Sequence, residues 1–262
     1  MKKSLALLAL ASLFIGTTSC RKKDEPKPTP VVSTDPNTAD ASADVTAIKS
    51  SQAVLTVPAG SVVYIEPQTG LKILGATMDA TDKTKYTVGS NGLLGINGNV
   101  EKLKIQSDDI TNLSLSKSSP LLKTLILVSK NSSATATATA IDLSGLTDLE
   151  SLLIAGYTIE SLDLTKLGAN FPELTNAFGS IPEKASRISE VKLPANNVIE
   201  NFMVRTATLQ DGKCDFDNLP KLKKFFCQSP FFSNFTFAKS TELEILYATS
   251  PTAAIKLNAD LG

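Results

Sequence analysis

The sequence predicts a β-rich solenoid with two short strands per coil, little helix, and a small β cap in front. Three observations predict it. From Val100 onward an apolar triplet recurs with the spacing L-x-x-L-x-L. The triplets fall into two interleaved series, so each coil carries two extended segments. Before them, β-branched runs are separated by Gly, Pro and Asp turns. Extended segments point alternate side chains to opposite faces, so the last two apolar residues of a triplet point inward and the residue between them points out. One coil cannot bury its own apolar face; stacked coils can.

Taken in order, residues 1–19 read as a signal peptide. Lys2 and Lys3 form a positive start, Leu5 to Ile15 an apolar core, and Gly16, Thr17, Thr18 and Ser19 lead into Cys20. The apolar run is shorter than the roughly 20 residues that span a bilayer. An ordinary signal peptide with a chance cysteine is the plainer alternative. The stretch resembles the lipobox of bacterial lipoproteins, which implies cleavage before Cys20 and a diacylglycerol thioether on it, holding the chain on the outer membrane. Thr17 stands where that motif usually has Leu, a departure found in the looser lipoboxes of Gram-negative gut and oral bacteria.

Residues 20–44 are expected to be the lipidated cysteine and a disordered tether, because residues 21–44 are rich in Pro, Thr, Ser, Asp and Lys and hold almost no aliphatic side chain. Arg21, Lys22, Lys23, Asp24 and Glu25 resemble the charged signal that sends some lipoproteins to the cell surface; a solvated spacer reads equally well. Residues 45–99, with "AVLTVP", "SVVYIE" and "KYTV", are expected to form the β-rich cap that shields the first coil's apolar edge.

Residues 100–262 carry the repeat. In the first series the middle triplet residue is read at 103, 125, 152, 177, 202, 225 and 246; in the second it is read at 113, 141, 162, 191, 214, 235 and 255. The shortest steps, 20 and 21 residues, set the basic repeat, and longer steps mark insertions such as Asn131 to Ala140. That period lies in the leucine-rich-repeat range. Pro120, Pro172 and Pro220 each fall just before a triplet, where they cost no strand hydrogen bond. A β-helix is the rival solenoid, usually with three sheets per coil and more Gly and Asn.

The segments "ITNLSLSKSSPLLKTLIL", "LTDLESLLIAGYTIESLDLTKL" and "DGKCDFDNLPKLKKFF" resemble the two-strand leucine-rich repeats of surface lipoproteins and BspA-like adhesins. The resemblance covers residues 100–262, and "KYTVGSNGLLGINGNVEKLKI" is similar to the entry strand of such arrays. It implies a surface-anchored adhesin-like protein. Several coils lack the family's Asn ladder, so irregular coils are expected. The final "AAIKLNADLG" reads as a strand of the last coil, left open for a partner or continued by further chain.

Composition narrows the chemistry. Removal of Lys2 and Lys3 with the leader leaves 24 basic against 26 acidic side chains, a balance unlike that of nucleic-acid binders. The chain has no His, so the commonest general base and neutral metal ligand is missing. No Gly-rich phosphate loop ends in Lys-Ser/Thr. A non-catalytic protein without cofactor or metal is therefore expected. Cys214 and Cys227 fall at inward positions and read as core residues, with a disulfide as the alternative. Asp142, Asp163 and Asp215 fall at outward positions; a solvated face is favoured over a calcium ladder, since Lys192 and Lys256 interrupt the row.

One row stands out. The outward residues of the first series read Lys104, Ile126, Leu153, Phe178, Met203, Phe226 and Tyr247; those of the second are polar: Ser114, Asp142, Asp163, Lys192, Asp215, Thr236 and Lys256. An exposed apolar strip marks an interaction site, unless a loop covers it and makes it core. The expected partner is a protein of the host or the envelope, bound through Ile126, Leu153, Phe178, Met203, Phe226 and Tyr247. A glycan ligand is disfavoured by the absence of Trp, and an envelope spacer without ligand is the third reading.

Overall fold

The computed structural model describes residues 32–117, 121–129, 139–167, 173–176, 187–195, 198–205, 209, 212–228, 234–237, 239–249 and 256–258. Among them the protein is strand-rich, with one five-residue helix and one three-residue 3-10 turn. No helix among the described residues is long and apolar enough to cross a membrane.

The first part contains β1 (Thr38–Asp40), α1 (Val45–Lys49), β2 (Ala53–Thr56), β3 (Val62–Glu66), β4 (Leu71–Leu74), β5 (Ala76–Met78), β6 (Lys85–Val88) and β7 (Leu93–Gly98). Residues 45–99, where a β-rich cap was expected, hold one short helix and six strands, and a further strand, β1, precedes them. Part of the segment assigned to a disordered tether is ordered: β1 pairs parallel to β4, and Asn37 is buried. The Asn37 amide donates to the Pro67 carbonyl at 2.7 Å and to the Tyr86 hydroxyl at 3.2 Å, while its Oδ1 accepts from the Leu71 N–H at 2.9 Å. A single buried polar side chain making three hydrogen bonds fixes this segment without aliphatic residues, which is why low hydrophobicity misled. Asp44 caps α1 by accepting from the Ala47 N–H at 2.8 Å, and the helix buries Ile48.

The repeat region supplies β8 (Lys102–Gln106), β9 (Asn112–Ser114), β10 (Thr124–Val128), β11 (Ala140–Asp142), β12 (Ser151–Ala155), β13 (Thr158–Ile159), β14 (Leu162–Asp163) and β15 (Glu173–Asn176). It continues with β16 (Arg187–Ile188), β17 (Val191–Lys192), β18 (Asn201–Arg205), the 3-10 turn (Phe216–Asn218), β19 (Lys224–Gln228), β20 (Asn234–Thr236), β21 (Ile245–Thr249) and β22 (Lys256–Asn258).

Two large sheets result, both mixed and both open. The ten-stranded sheet has the order β21-β19-β18-β15-β12-β10-β8-β3-β6-β5, and the six-stranded sheet the order β1-β4-β7-β2-β9-β11. In the first, every pairing from β8 to β21 is parallel and in register. The cap opens each row with an antiparallel strand: β3 against β8, and β2 against β9. Among the described residues the second row is discontinuous. Beyond β11 it breaks into the pairs β13–β16, β14–β17 and β20–β22.

Triplet alternation follows the expected rule. Leu125 and Leu127, Leu152 and Ile154, Phe225 and Cys227 are buried, and Ile126, Leu153 and Phe226 between them are only half-buried. Two registers differ from the sequence reading. Leu174 lies opposite Leu152 and Phe202, so it is the middle triplet residue that the spacing placed at Ala177; Leu257 lies opposite Phe235, two residues past the position assigned. The register gives Asn176 the third place of its triplet, opposite Val204, and a polar residue there hid the pattern.

With the middle residue at 174, the first-series steps become 22, 27, 22, 28, 23 and 21. The two long ones coincide with the 28- and 29-residue steps of the second series, from Leu113 to Ile141 and from Leu162 to Val191. Both series thus share two insertions.

The core grades from aliphatic to aromatic along the stack. Phe202, Phe216, Phe225 and Phe237 are all buried, with edge-to-face contacts between Phe216 and Phe225 at 5.1 Å and between Phe225 and Phe237 at 4.9 Å. Cys214 and Cys227 are free thiols in this core. Burial pushes the Cys227 thiol up to about 12, and burial with the nearby Asp215 charge raises Cys214 as well.

Candidate interaction surface

The in-register ladder builds the outward face of the ten-stranded sheet. Parallel pairing stacks equivalent positions, so one row reads Lys104, Ile126, Leu153, Thr175, Met203, Phe226 and Tyr247. Thr175, not Phe178, holds the fourth place, a consequence of the register of Leu174; Phe178 itself lies outside the described residues. The row therefore brings together Ile126 with Leu153, and Met203 with Phe226 and Tyr247, around a threonine position.

Exposure rises toward one end. Ile126, Leu153, Met203 and Phe226 are half-buried, whereas Tyr247 is 47% and its strand neighbour Ile245 53% exposed. The Phe226 and Tyr247 rings stack with centroids 4.3 Å apart and planes 13° from parallel. At the opposite end the row passes into the cap, where Lys104 forms a 3.0 Å ion pair with Glu66.

Beside the apolar row lie Lys102 and Lys224, which are exposed, and Thr124, Ser151 and Asn201, which are partly buried. Along the border where each strand begins runs a second row that sequence reasoning missed: Glu101, Lys123 and Glu150, then Glu200, Lys223 and Glu244. Backbone bonds of 2.8 Å set its register, from Lys123 N–H to the Glu101 carbonyl, Glu150 to Lys123, Lys223 to Glu200, and Glu244 to Lys223. Side chains pair across it, Lys123 with Glu150 at 2.7 Å and Lys223 with Glu200 at 3.1 Å. The hydrogen bonds and charges of these glutamates raise the pKa of both lysines. The signal was in the sequence: the residue two places before each middle position reads Glu, Lys, Glu, Pro, Glu, Lys, Glu once Leu174 is correctly placed.

On the other side of the molecule, where the second row breaks, an open groove of about 560 Å³ is lined by Thr139, Glu160, Ser161, Ser189, Glu190 and Lys213. The Ser161 hydroxyl donates to Glu190 at 2.7 Å, and Lys192 and Lys213 lie 3.5 and 3.9 Å from that carboxylate. The hydrogen bond and then the lysine charges lower its pKa.

Asp142, Asp163 and Asp215 of the second row are all exposed, and the first two have local partners. Asp163 accepts from the Thr165 N–H at 2.9 Å and from its hydroxyl at 2.5 Å, and Asp142 accepts from the Ser144 N–H at 3.0 Å. The same Asp-x-Ser/Thr turn recurs at Asp40, Asp79 and Asp82. Among the described residues no group of three or more His, Cys, Asp or Glu side chains is placed to hold a metal ion. The seventh place of the row, read as Lys256, falls to Asn258 by register. No family model, curated protein or solved structure matches the chain.

Proposed function

We propose that this chain is an exported, lipid-anchored, non-catalytic protein whose stacked repeats form a leucine-rich-repeat solenoid and whose ten-stranded sheet binds a protein partner, in the manner of an adhesin. The observation that carries the reading is the outward apolar row ending in the stacked, half-exposed Phe226–Tyr247 pair. Aromatic residues and Met are enriched at the centres of protein interfaces, and an apolar strip between polar rows has that make-up. The anchor is proposed from Cys20 and the leader before it, and the outer membrane as its location. The solenoid is supported by the in-register parallel run from β8 to β21 and by a basic step of 21–23 residues.

The test is capture of host matrix and envelope proteins by the full chain, wild type beside a Leu153→Asp/Phe226→Asp variant, with thermal melting to check the fold. A protein retained by wild type and lost, at least tenfold, from a folded variant supports the site. Equal retention by both removes the row from the interface, and an unfolded variant makes it core.

A second reading, glycan capture, draws on the groove at Glu190. Its carboxylates and hydroxyls suit a polyhydroxylated ligand, although no aromatic ring lines it. Binding of an oligosaccharide by wild type and not by Glu190→Gln would transfer the function to that side.

A further inference from the structure

We propose that the edge of β21 left unpaired among the described residues takes up an extended partner segment with the pattern basic-x-apolar-x-apolar, running parallel to β21, with its basic residue against Glu244. The inference rests on the protein-binding reading only in taking the ligand to be a polypeptide; it concerns the sheet's edge rather than its face.

Among the described residues β21 pairs with β19 alone and stands at the end of the ten-stranded sheet's strand order. Native edge strands are usually shielded by charge, proline or shortness. The other end of the sheet follows that rule: β5 has three residues and runs into Asp79, which pairs with Lys85 at 3.4 Å. β21 does not follow it. Ile245, Leu246, Tyr247, Ala248 and Thr249 contain no charge and no proline.

The side chains state what the next strand must be. Leu246 and Ala248 stack on Phe225 and Cys227, which are fully buried, yet both remain partly exposed. A strand added beside them needs apolar residues at those two inward positions. The charged border supplies the third requirement. Glu101–Lys123–Glu150 and Glu200–Lys223–Glu244 alternate in sign, and Glu244 has no salt bridge among the described residues beyond the field of Lys223. The next place in the row calls for a cation. Main-chain pairing would give affinity and these three places specificity, as in strand addition generally. The chain's own segments Lys123 to Leu127 and Lys223 to Cys227 have this chemistry.

The probe is a fluorescein-labelled peptide with the sequence of residues 121–130, titrated with the full chain and read by anisotropy. Saturable binding is expected. Replacing the peptide's Lys123 by Glu should weaken it about tenfold, because a favourable contact becomes a repulsive one. The Glu244→Lys chain should reverse the preference and bind the Glu peptide better. An Ile126→Asp/Leu153→Asp chain should bind the peptide as wild type does, so loss of the face and loss of the edge are separable. Absence of saturable binding, or equal binding of both peptides by both chains, overturns the proposal. So does self-association of the chain alone that Glu244→Lys abolishes, which would make the occupant a second copy.

Discussion

Polar side chains at corners decide more of this structure than their abundance suggests. Asp40, Asp82 and Asp163 each accept from the hydroxyl and backbone N–H of a Ser or Thr two residues on, and those bonds hold their carboxyls below the ordinary value of 3.8. Asp79 is lowered further by the backbone N–H groups of Asp82 and Thr81 and by the Thr81 hydroxyl, and Glu190 and Glu242 are lowered by Ser161 and Lys221. A carboxyl with a lower pKa folded than unfolded stabilises at neutral pH. Its contribution fades once the pH falls below the unfolded value, because the unfolded chain takes up protons first. The chain has no His to titrate between about pH 5 and 8. The melting temperature should therefore be flat from pH 8 to 5 and drop below about pH 4.5; calorimetry across that range checks it, and a decline starting near pH 6.5 would refute it. These turns were visible as Asp-x-Ser/Thr. What the residues alone did not give was their second role: Asp142 and Asp163 are exposed, as the solvated face requires, and both also close turns.

Elements were legible wherever all three triplet residues are apolar, as in β10, β12 and β19. β15 was displaced because Asn176 occupies an apolar place, and β1 was missed because its anchor is the amide of Asn37. The corners between elements depend on backbone as well as pattern. Gly156 ends β12 at φ +79°, and a Cβ there would collide with the Ser129 carbonyl oxygen of the preceding repeat. The next residue, Tyr157, is buried and its hydroxyl reaches the carbonyls of Ser107 at 2.9 Å and Val128 at 3.2 Å, tying three successive turns of chain together. Gly212 shares the positive φ but has open space around it. Gly156→Ala should cost about 2–3 kcal/mol and Gly212→Ala about 1 kcal/mol, since only the first adds a backbone collision to the left-handed penalty. Urea unfolding midpoints of the two variants compare them directly; equal shifts would contradict the corner's role.

For the whole molecule, the step between repeats was readable to within a few residues, but the coincidence of insertions in the two rows emerged only from the register of Leu174 and Leu152. The proposed anchor acts at this scale too. Wild type should partition with membranes and carry the added mass of a diacylglycerol at Cys20, and Cys20→Ser should leave the full leader in place; fractionation with intact-mass measurement decides it, and a cleaved, soluble wild type would sink it. The alternating border has a further consequence, for how such a chain finds its order. Strands as alike as β8, β10 and β12 are exchangeable partners to the apolar core, which accepts any of them. Omitting one in the stacking would set Glu101 beside Glu150, or Glu200 beside Glu244, and the like charges would resist closure. The glutamates and lysines thus oppose omission of the β10 or the β19 turn, an error that hydrophobicity alone would pass.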